Sequence, residues 1–263
     1  MSAPNETLEQ KLKILDEKIS QPQETIEEVD PTHYIFEKAK LLKENKMREE
    51  ALSQFKNVIE KTQSFNLKMD SYFEILHIGI MYKDLTLLSE YRDKCSKALQ
   101  DGGDWEKRNR LKVYEGLYHL LVRNFKDAGR LFLEALMTFT NYELFDYKTF
   151  VFYTCITNII TVDRVKLKSR IIDNSDVLSC IREIPNLQKF LESFYNGQYL
   201  TFFQEFSEII KRTSEDFFLS KHNNYFIKEM RIKVYTQFLQ SFKSVTIDNM
   251  ALCFGVSPVF IDK

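Results

Sequence analysis

Three stretches of this chain carry one spacing of small and apolar residues, and no other feature restricts its fold as much. Ala39, Ala51, Phe55 and Val58 are separated by 12, 4 and 3 positions. So are Gly79, Tyr91, Cys95 and Ala98, and so are Gly116, Ala128, Phe132 and Ala135. The three units are offset by 40 and 37 residues. Steps of four and three return to one face of an α-helix. The longer step spans the end of one helix, a turn and the start of the next. A small residue in the first helix lets the second pack close, and the later positions form the inner stripe of that second helix. Helical pairs of this kind bury their apolar faces by stacking on their neighbours.

The pattern resembles the tetratricopeptide repeat, in which helical pairs of roughly 34 residues stack into a solenoid. Tyr91 and Cys95 stand where that repeat usually has Ala and an aromatic, and the periods are stretched, so the units are TPR-like. Composition agrees with helices joined by short turns. The chain has 7 Gly and 5 Pro in 263 residues, against roughly 18 and 13 at average usage. Its 22 Phe and 13 Tyr supply large rings for helix-on-helix packing.

Punctuation places the elements. Residues 6–20 put Leu8, Leu12, Leu15 and Ile19 on one helical face. The acidic segment QPQETIEEVDP follows as a linker, leaving the first helix to dock separately or not at all. The first pair turns at Glu44-Asn45-Lys46, Asp84 caps the second helix of the second pair, and Asn124 starts that of the third. A buried helix is expected over Tyr142–Val162, a short one from Ser175, and a pair over 185–195 and 198–212 around Asn196-Gly197. Another helix is expected over 223–243, with Ile227, Met230, Val234 and Phe238 on its apolar side and Lys228, Arg231 and Lys233 elsewhere. Ser244–Ile247 reads as a short strand and Asp248–Phe254 as a helix stopped by Gly255. Ser257-Pro258 opens a further helix, which completes a helix-turn-helix.

The stretch GGDWEKRNRLKVYEGLYH contains the only tryptophan. Gly102-Gly103 reads as a helix stop and Asp104 as the cap of the next helix. A phosphate loop needs other glycine spacing and a Lys-Ser or Lys-Thr after a strand, so that reading is set aside. Lys107, Arg108, Arg110 and Lys112 are spread around the helix, as on a solvated face paired with acidic neighbours. The sharper reading is a docking surface, since the arginine fork holds carboxylates in fixed geometry.

Other chemistry finds little support. Lys+Arg is 37 and Asp+Glu 38, so the basic surplus of a general nucleic-acid binder is missing. Cys95, Cys155, Cys180 and Cys253 form no CxxC pair and read as buried free thiols in a reducing compartment. His33, His77, His119 and His222 have no metal-ligand spacing. No nucleophile motif and no Walker loop is present. The expectation is no enzyme, no cofactor and no metal. The polar, acidic N-terminus is not a signal peptide. The uncharged run Thr149–Val162 is shorter than the ~20 residues of a membrane span. A soluble, intracellular protein is expected. The helix from Pro258 offers Pro258, Val259, Phe260, Ile261, Asp262 and Lys263, not the Arg, Asn or Gln of a base-reading helix.

GGDWEKRNRLKVYEGLYHLLVRNFKDAGRLFLEALMTFTNYELFDYKTFVFYT and YFIKEMRIKVYTQFLQSFKSVTIDNMALCFGVSPVFID resemble a PCI-domain lid subunit family of the 26S proteasome regulatory particle, the family whose signalosome counterpart is that complex's largest PCI subunit. The resemblance covers about 100–263. It implies an all-α fold: a TPR-like helical-repeat solenoid leading into a PCI winged helix. The winged-helix match falls on Val245–Asp262, so the expected segment is incomplete, with the wing strands and bundle helix lying beyond Lys263. The implied division is 1–30 as N-terminal helix and acidic linker, 31–222 as repeats, and 223–263 as linker helix and start of the winged helix.

The implied function is that of a non-catalytic scaffold of the lid in ubiquitin-dependent degradation, in cytoplasm and nucleus. It would act within a hetero-oligomeric complex, with other lid PCI subunits, ATPase-ring subunits and core-particle subunits as partners, and with no nucleic acid or membrane. The alternative is a sister PCI complex, the signalosome or a translation-initiation scaffold. Candidate protein contacts are Trp105, Arg108 and Arg110 in the repeat arm. Met250, Phe254, Val256 and Phe260 are candidates around the winged helix, where they read as core before they read as contacts.

Overall fold

The computed structural model describes residues 8–20, 30–100, 102 and 104–262. Residues 21–29 of the acidic linker, Gly103 and Lys263 lie outside the described residues. Among the described residues every regular element is helical. The order is α1 (Leu8–Ser20), α2 (Pro31–Glu44), α3 (Arg48–Lys61), α4 (Phe65–Tyr82), α5 (Leu85–Gln100), α6 (Trp105–Leu121) and α7 (Phe125–Ala135). Then come α8 (Tyr147–Thr161), α9 (Arg164–Leu167), a π turn (Lys168–Ile172), α10 (Ser175–Cys180), α11 (Leu187–Asn196) and α12 (Tyr199–Glu215). The last are α13 (Asn223–Leu239), α14 (Ile247–Phe254) and α15 (Pro258–Asp262). The chain divides into two compact units, one ending at Tyr114 and the other starting at Glu115.

In the first unit, α2 pairs with α3 and α4 with α5. Ala39, Ala51, Phe55 and Val58 are all enclosed, and the Phe36 ring meets Phe55 edge-on at 5.7 Å. Asp84 caps α5 as expected: the Leu87 N–H donates to its Oδ1 at 3.1 Å, and Arg48 from α3 pairs with its other oxygen. That backbone bond first, and the arginine after it, hold the Asp84 carboxyl below the usual carboxylate range. The first helix does not stay apart. Leu8, Leu12, Leu15 and Ile19 are half-buried on α2, with Asp16 paired to Lys38 at 2.5 Å and Lys18 over the Tyr34 ring.

The turns correct the register of the second repeat. Each pair reverses on one left-handed residue: Lys46 (φ 62°), Lys83 (φ 53°), Arg123 (φ 64°) and Gly197 (φ 71°). Ala39 and Gly116 precede their turn residue by seven positions, but Gly79 precedes Lys83 by four. Gly79 shares the spacing, therefore, about one helical turn out of step. It faces Leu88, and Leu99 is buried on α5 where Ala98 is only partly covered.

In the second unit, Gly116 lies against the Phe132 ring; an added Cβ would fall 2.4 Å from its Cε1. A fourth set has the same 12, 4 and 3 spacing: Phe190, Phe202, Phe206 and Ile209, all enclosed. Phe190 stacks on Phe202 at 5.2 Å and on Phe206 at 5.9 Å. A ring fills the place that Ala or Gly holds in the other pairs, so a search keyed on small residues passes over it.

Three boundaries also differ. The buried helix starts at Tyr147, not Tyr142, because Asp146 caps it by accepting from the Thr149 N–H at 3.0 Å. The stripe of α13 is Phe226, Met230, Val234 and Phe238, with Ile227 only half-buried, and α13 ends at Leu239. Ser244–Ile247 is not a strand. No strand stands beside it among the described residues, and the Thr246 hydroxyl caps α14 by accepting from the Asn249 N–H at 3.3 Å. Gly255 ends α14 in the left-handed region, as expected.

Candidate interaction surfaces

The first candidate surface lies at the start of α6 in the first unit. Trp105 is 65% exposed. Three basic residues beside it make contacts within the chain. Arg108 donates to the Leu99 carbonyl at 3.2 Å, which fills one of the carbonyls left open at the end of α5. Lys107 donates to the Asn66 side chain at 2.9 Å, and the Arg110 guanidinium stands 4.3 Å from the centre of the Phe73 ring. These contacts brace α6 against α4 and α5. Beneath them Asn109 is buried, with no partner for its Nδ2 among the described residues.

The second candidate surface lies at α13–α15. Met250 and Phe254 are enclosed. The Phe254 ring has Phe238, Tyr199, Phe203 and Tyr235 around it at 5.0 to 5.6 Å. Half-buried Val256 closes the end of α14 through its N–H to the Ala251 carbonyl at 3.1 Å. Phe260 is at the rim, with the Arg231 guanidinium 4.5 Å over its ring. The outward side chains are others: Leu252 (81% exposed) and Val259 (63%), with Ile247 and Phe242 about half exposed. A groove of about 450 Å³ runs between Phe238, Phe242, Val245, Thr246, Leu252 and Cys253. Helical position could have singled out Leu252, since it is two residues from buried Met250 and two from buried Phe254, on the opposite side of a helix.

Buried ionisable groups in the second unit are explained by packing. The Tyr153 hydroxyl donates to Asp216 at 2.7 Å; burial and then that carboxylate push its pKa far up. Burial does the same to the Cys155 thiol, which is thereby kept protonated and inert. Cys95, Cys155 and Cys180 are buried free thiols as expected, but Cys253, beside Leu252 on α14, is exposed. Burial, with Asp176 second, pushes Tyr147 up to about 12. Lys233 of α13 reaches α8 and donates to the carbonyls of Ile159, at 2.6 Å, and Val162. Burial lowers its pKa to about 8 against the opposing pull of Asp163. Among the described residues no group of three or more His, Cys, Asp or Glu is placed to hold a metal. No helix among them is long and apolar enough to cross a membrane.

Comparison with known sequences gives one consistent result. The profile of the family described as 26S proteasome subunit RPN7 matches residues 1–170. The 26S proteasome non-ATPase regulatory subunit 6 of Oryza sativa subsp. japonica is 44% identical over 255 residues, 97% of this chain and 66% of that protein. The homologous subunit of Arabidopsis thaliana gives the same figures. COP9 signalosome complex subunit 1 of Arabidopsis thaliana is 24% identical over 156 residues, 59% of this chain and 35% of that protein. The chain thus spans 66% of the length of the two proteasomal relatives.

Proposed function

The chain belongs to the family of 26S proteasome subunit RPN7, and from that premise we propose that it is a non-catalytic scaffold subunit of the proteasome lid. In this reading it holds neighbouring PCI subunits together and braces the lid against the ATPase ring and core particle, in cytoplasm and nucleus, during ubiquitin-dependent degradation. The observation that carries the proposal is the 44% identity over 97% of the chain to subunits named as non-ATPase regulatory subunits. The structure adds physical support. Apolar side chains along α14 and α15, Leu252 and Val259 above all, are exposed beside an open groove, and apolar surface of this kind is stabilised by a partner. The sister-complex alternative rests on the weaker likeness to the signalosome subunit.

Affinity purification of the tagged chain from its own cells, followed by mass spectrometry, tests the proposal. Lid and ATPase-ring subunits in near-equal amounts are expected. Cullins, initiation factors or the chain alone would overturn it.

A further inference from the structure

The segment joining α8 to α10 is a short cationic ridge. Leu167 and Ile171 are enclosed and anchor it. Opposite them, Val165 (78% exposed) and Ser169 form the crest, four residues apart. Arg164 and Lys168 run along one flank and Lys166 and Arg170 along the other, each pair also four apart and therefore on one side of the helix. The ridge spans about 10 Å. The four cations have two carboxylates beside them in sequence, Asp163 and Asp173, so the stretch 163–173 carries +2 (4 − 2) in a chain of net charge −1.

Two of these four cations have a carboxylate partner. Asp163 pairs with Lys166 at 3.0 Å and Asp173 reaches Lys168 only at 4.0 Å. Among the described residues Arg170 has no ion pair, hydrogen bond or ring contact. Arg164 and Lys168 are held over the same Tyr195 ring, at 5.0 and 5.3 Å, which fixes their flank without cancelling its charge. The π turn Lys168–Ile172 is a backbone irregularity of a kind found at functional sites more often than in ordinary helices. Beside the ridge lies a groove of about 460 Å³ lined by Val162 and Ile232, the cations Arg164 and Lys233 and the carboxylates Asp163 and Glu229 among others, in which Ile232 is about half exposed.

We propose that the ridge Arg164–Arg170 with its adjoining groove is a docking surface for an acidic polypeptide segment that carries an apolar residue among its carboxylates. Charge complementarity selects an anion: of four cations within two helical turns, Arg164 and Arg170 have no carboxylate partner among the described residues, and such cations attract one. The apolar crest selects polypeptide over nucleic acid. Val165 is 78% exposed on the crest and Ile232 lines the groove; a phosphate backbone leaves both unmatched, whereas a side chain such as Leu covers them. The inference is independent of the assembly reading above.

The test uses the full chain and a fluorescein-labelled peptide of Glu-Glu-Leu repeats, read by fluorescence anisotropy at low and physiological salt. Binding that weakens with salt is expected. The pairs Lys166→Gln/Arg170→Gln and Arg164→Gln/Lys168→Gln, and the single change Val165→Asp, should each weaken it about 10-fold or more. The control Lys97→Gln/Lys126→Gln removes two exposed cations elsewhere and should leave it unchanged. All variants lie on the surface, and unchanged thermal melts by circular dichroism would show that they fold. The proposal is overturned if the peptide does not bind, or if the control weakens binding as much as the ridge variants. It is also overturned if oligo(A) RNA or phosphatidylserine vesicles engage the same residues more tightly than the peptide.

Discussion

Gly116 and Gly79 look equivalent in the repeat pattern, yet they have different neighbours. A Cβ at Gly116 would sit 2.4 and 2.7 Å from two atoms of the Phe132 ring, whereas one at Gly79 would meet the end of Leu88 at 2.8 Å. Both neighbours are enclosed, but the contact at Gly116 is closer, 2.4 Å against 2.8 Å, and falls on a rigid ring. Alanine gains about 1 kcal/mol of helix propensity over glycine, while overpacking costs about 1–3 kcal/mol. Gly116→Ala is therefore expected to lower stability by about 1–2 kcal/mol, and Gly79→Ala to change it by less, as urea unfolding would measure. The left-handed turn residues give the opposite sign. Lys46 is exposed at φ 62°, a conformation that costs a side-chain-bearing residue about 1 kcal/mol or more. Lys46→Gly is expected to raise stability by up to about 1 kcal/mol, because relief of that strain outweighs the added freedom of the unfolded chain. Residue type and spacing made Ala39 and Gly116 legible as close-approach sites. The neighbour each one meets was not legible, because that depends on the turn that follows.

At the scale of elements, helix existence was readable and helix contact was not. Caps at Asp84 and Asn124 follow from local side-chain chemistry and were visible in the sequence. Asp146 was passed over because the apolar run around Tyr142–Phe145 mimics a helical face, although the chain turns there and stacks Phe139, Phe145 and Phe150. Lys233 was assigned to the outer side of α13, where a lysine beside Val234 ordinarily belongs. Its long stem instead carries the ammonium onto the last carbonyls of α8, a long-range contact with no local signal. The consequence is measurable. Its folded pKa, about 8, lies below the ordinary 10.5. Between those values the unfolded chain keeps a proton that the folded chain has released, so this group makes folding more favourable as pH rises from about 8 to 10.5. Below about pH 8 the cost of burying its charge is present in full. Urea melts at a series of pH values should show wild type gaining stability relative to Lys233→Met across that window, with a flat difference below pH 7. A flat difference throughout would mean that Lys233 titrates as a solvated lysine.

For the whole molecule, composition and repeat spacing pointed to stacked helical pairs, and the helices are there, in two compact units. The candidate surfaces were less readable because burial is decided by the fold. Phe254 and Leu252 are both apolar residues on α14, yet one is fully enclosed and the other 81% exposed. The net charge of −1 likewise conceals the ridge at Arg164–Arg170, since a sum over the chain erases local sign. What unites these features is a chain whose exposed apolar and cationic surfaces are suited to larger neighbours. In the reading proposed above, those neighbours are proteasome subunits. The most direct test is density-gradient sedimentation of the tagged chain from native lysate, with ATP-dependent peptidase activity assayed across the gradient. The account predicts that the chain sediments with the peak of that activity. It also predicts that Leu252→Asp with Val259→Asp, both surface changes, shifts the chain to lighter fractions. Wild-type chain sedimenting apart from the activity would contradict the account.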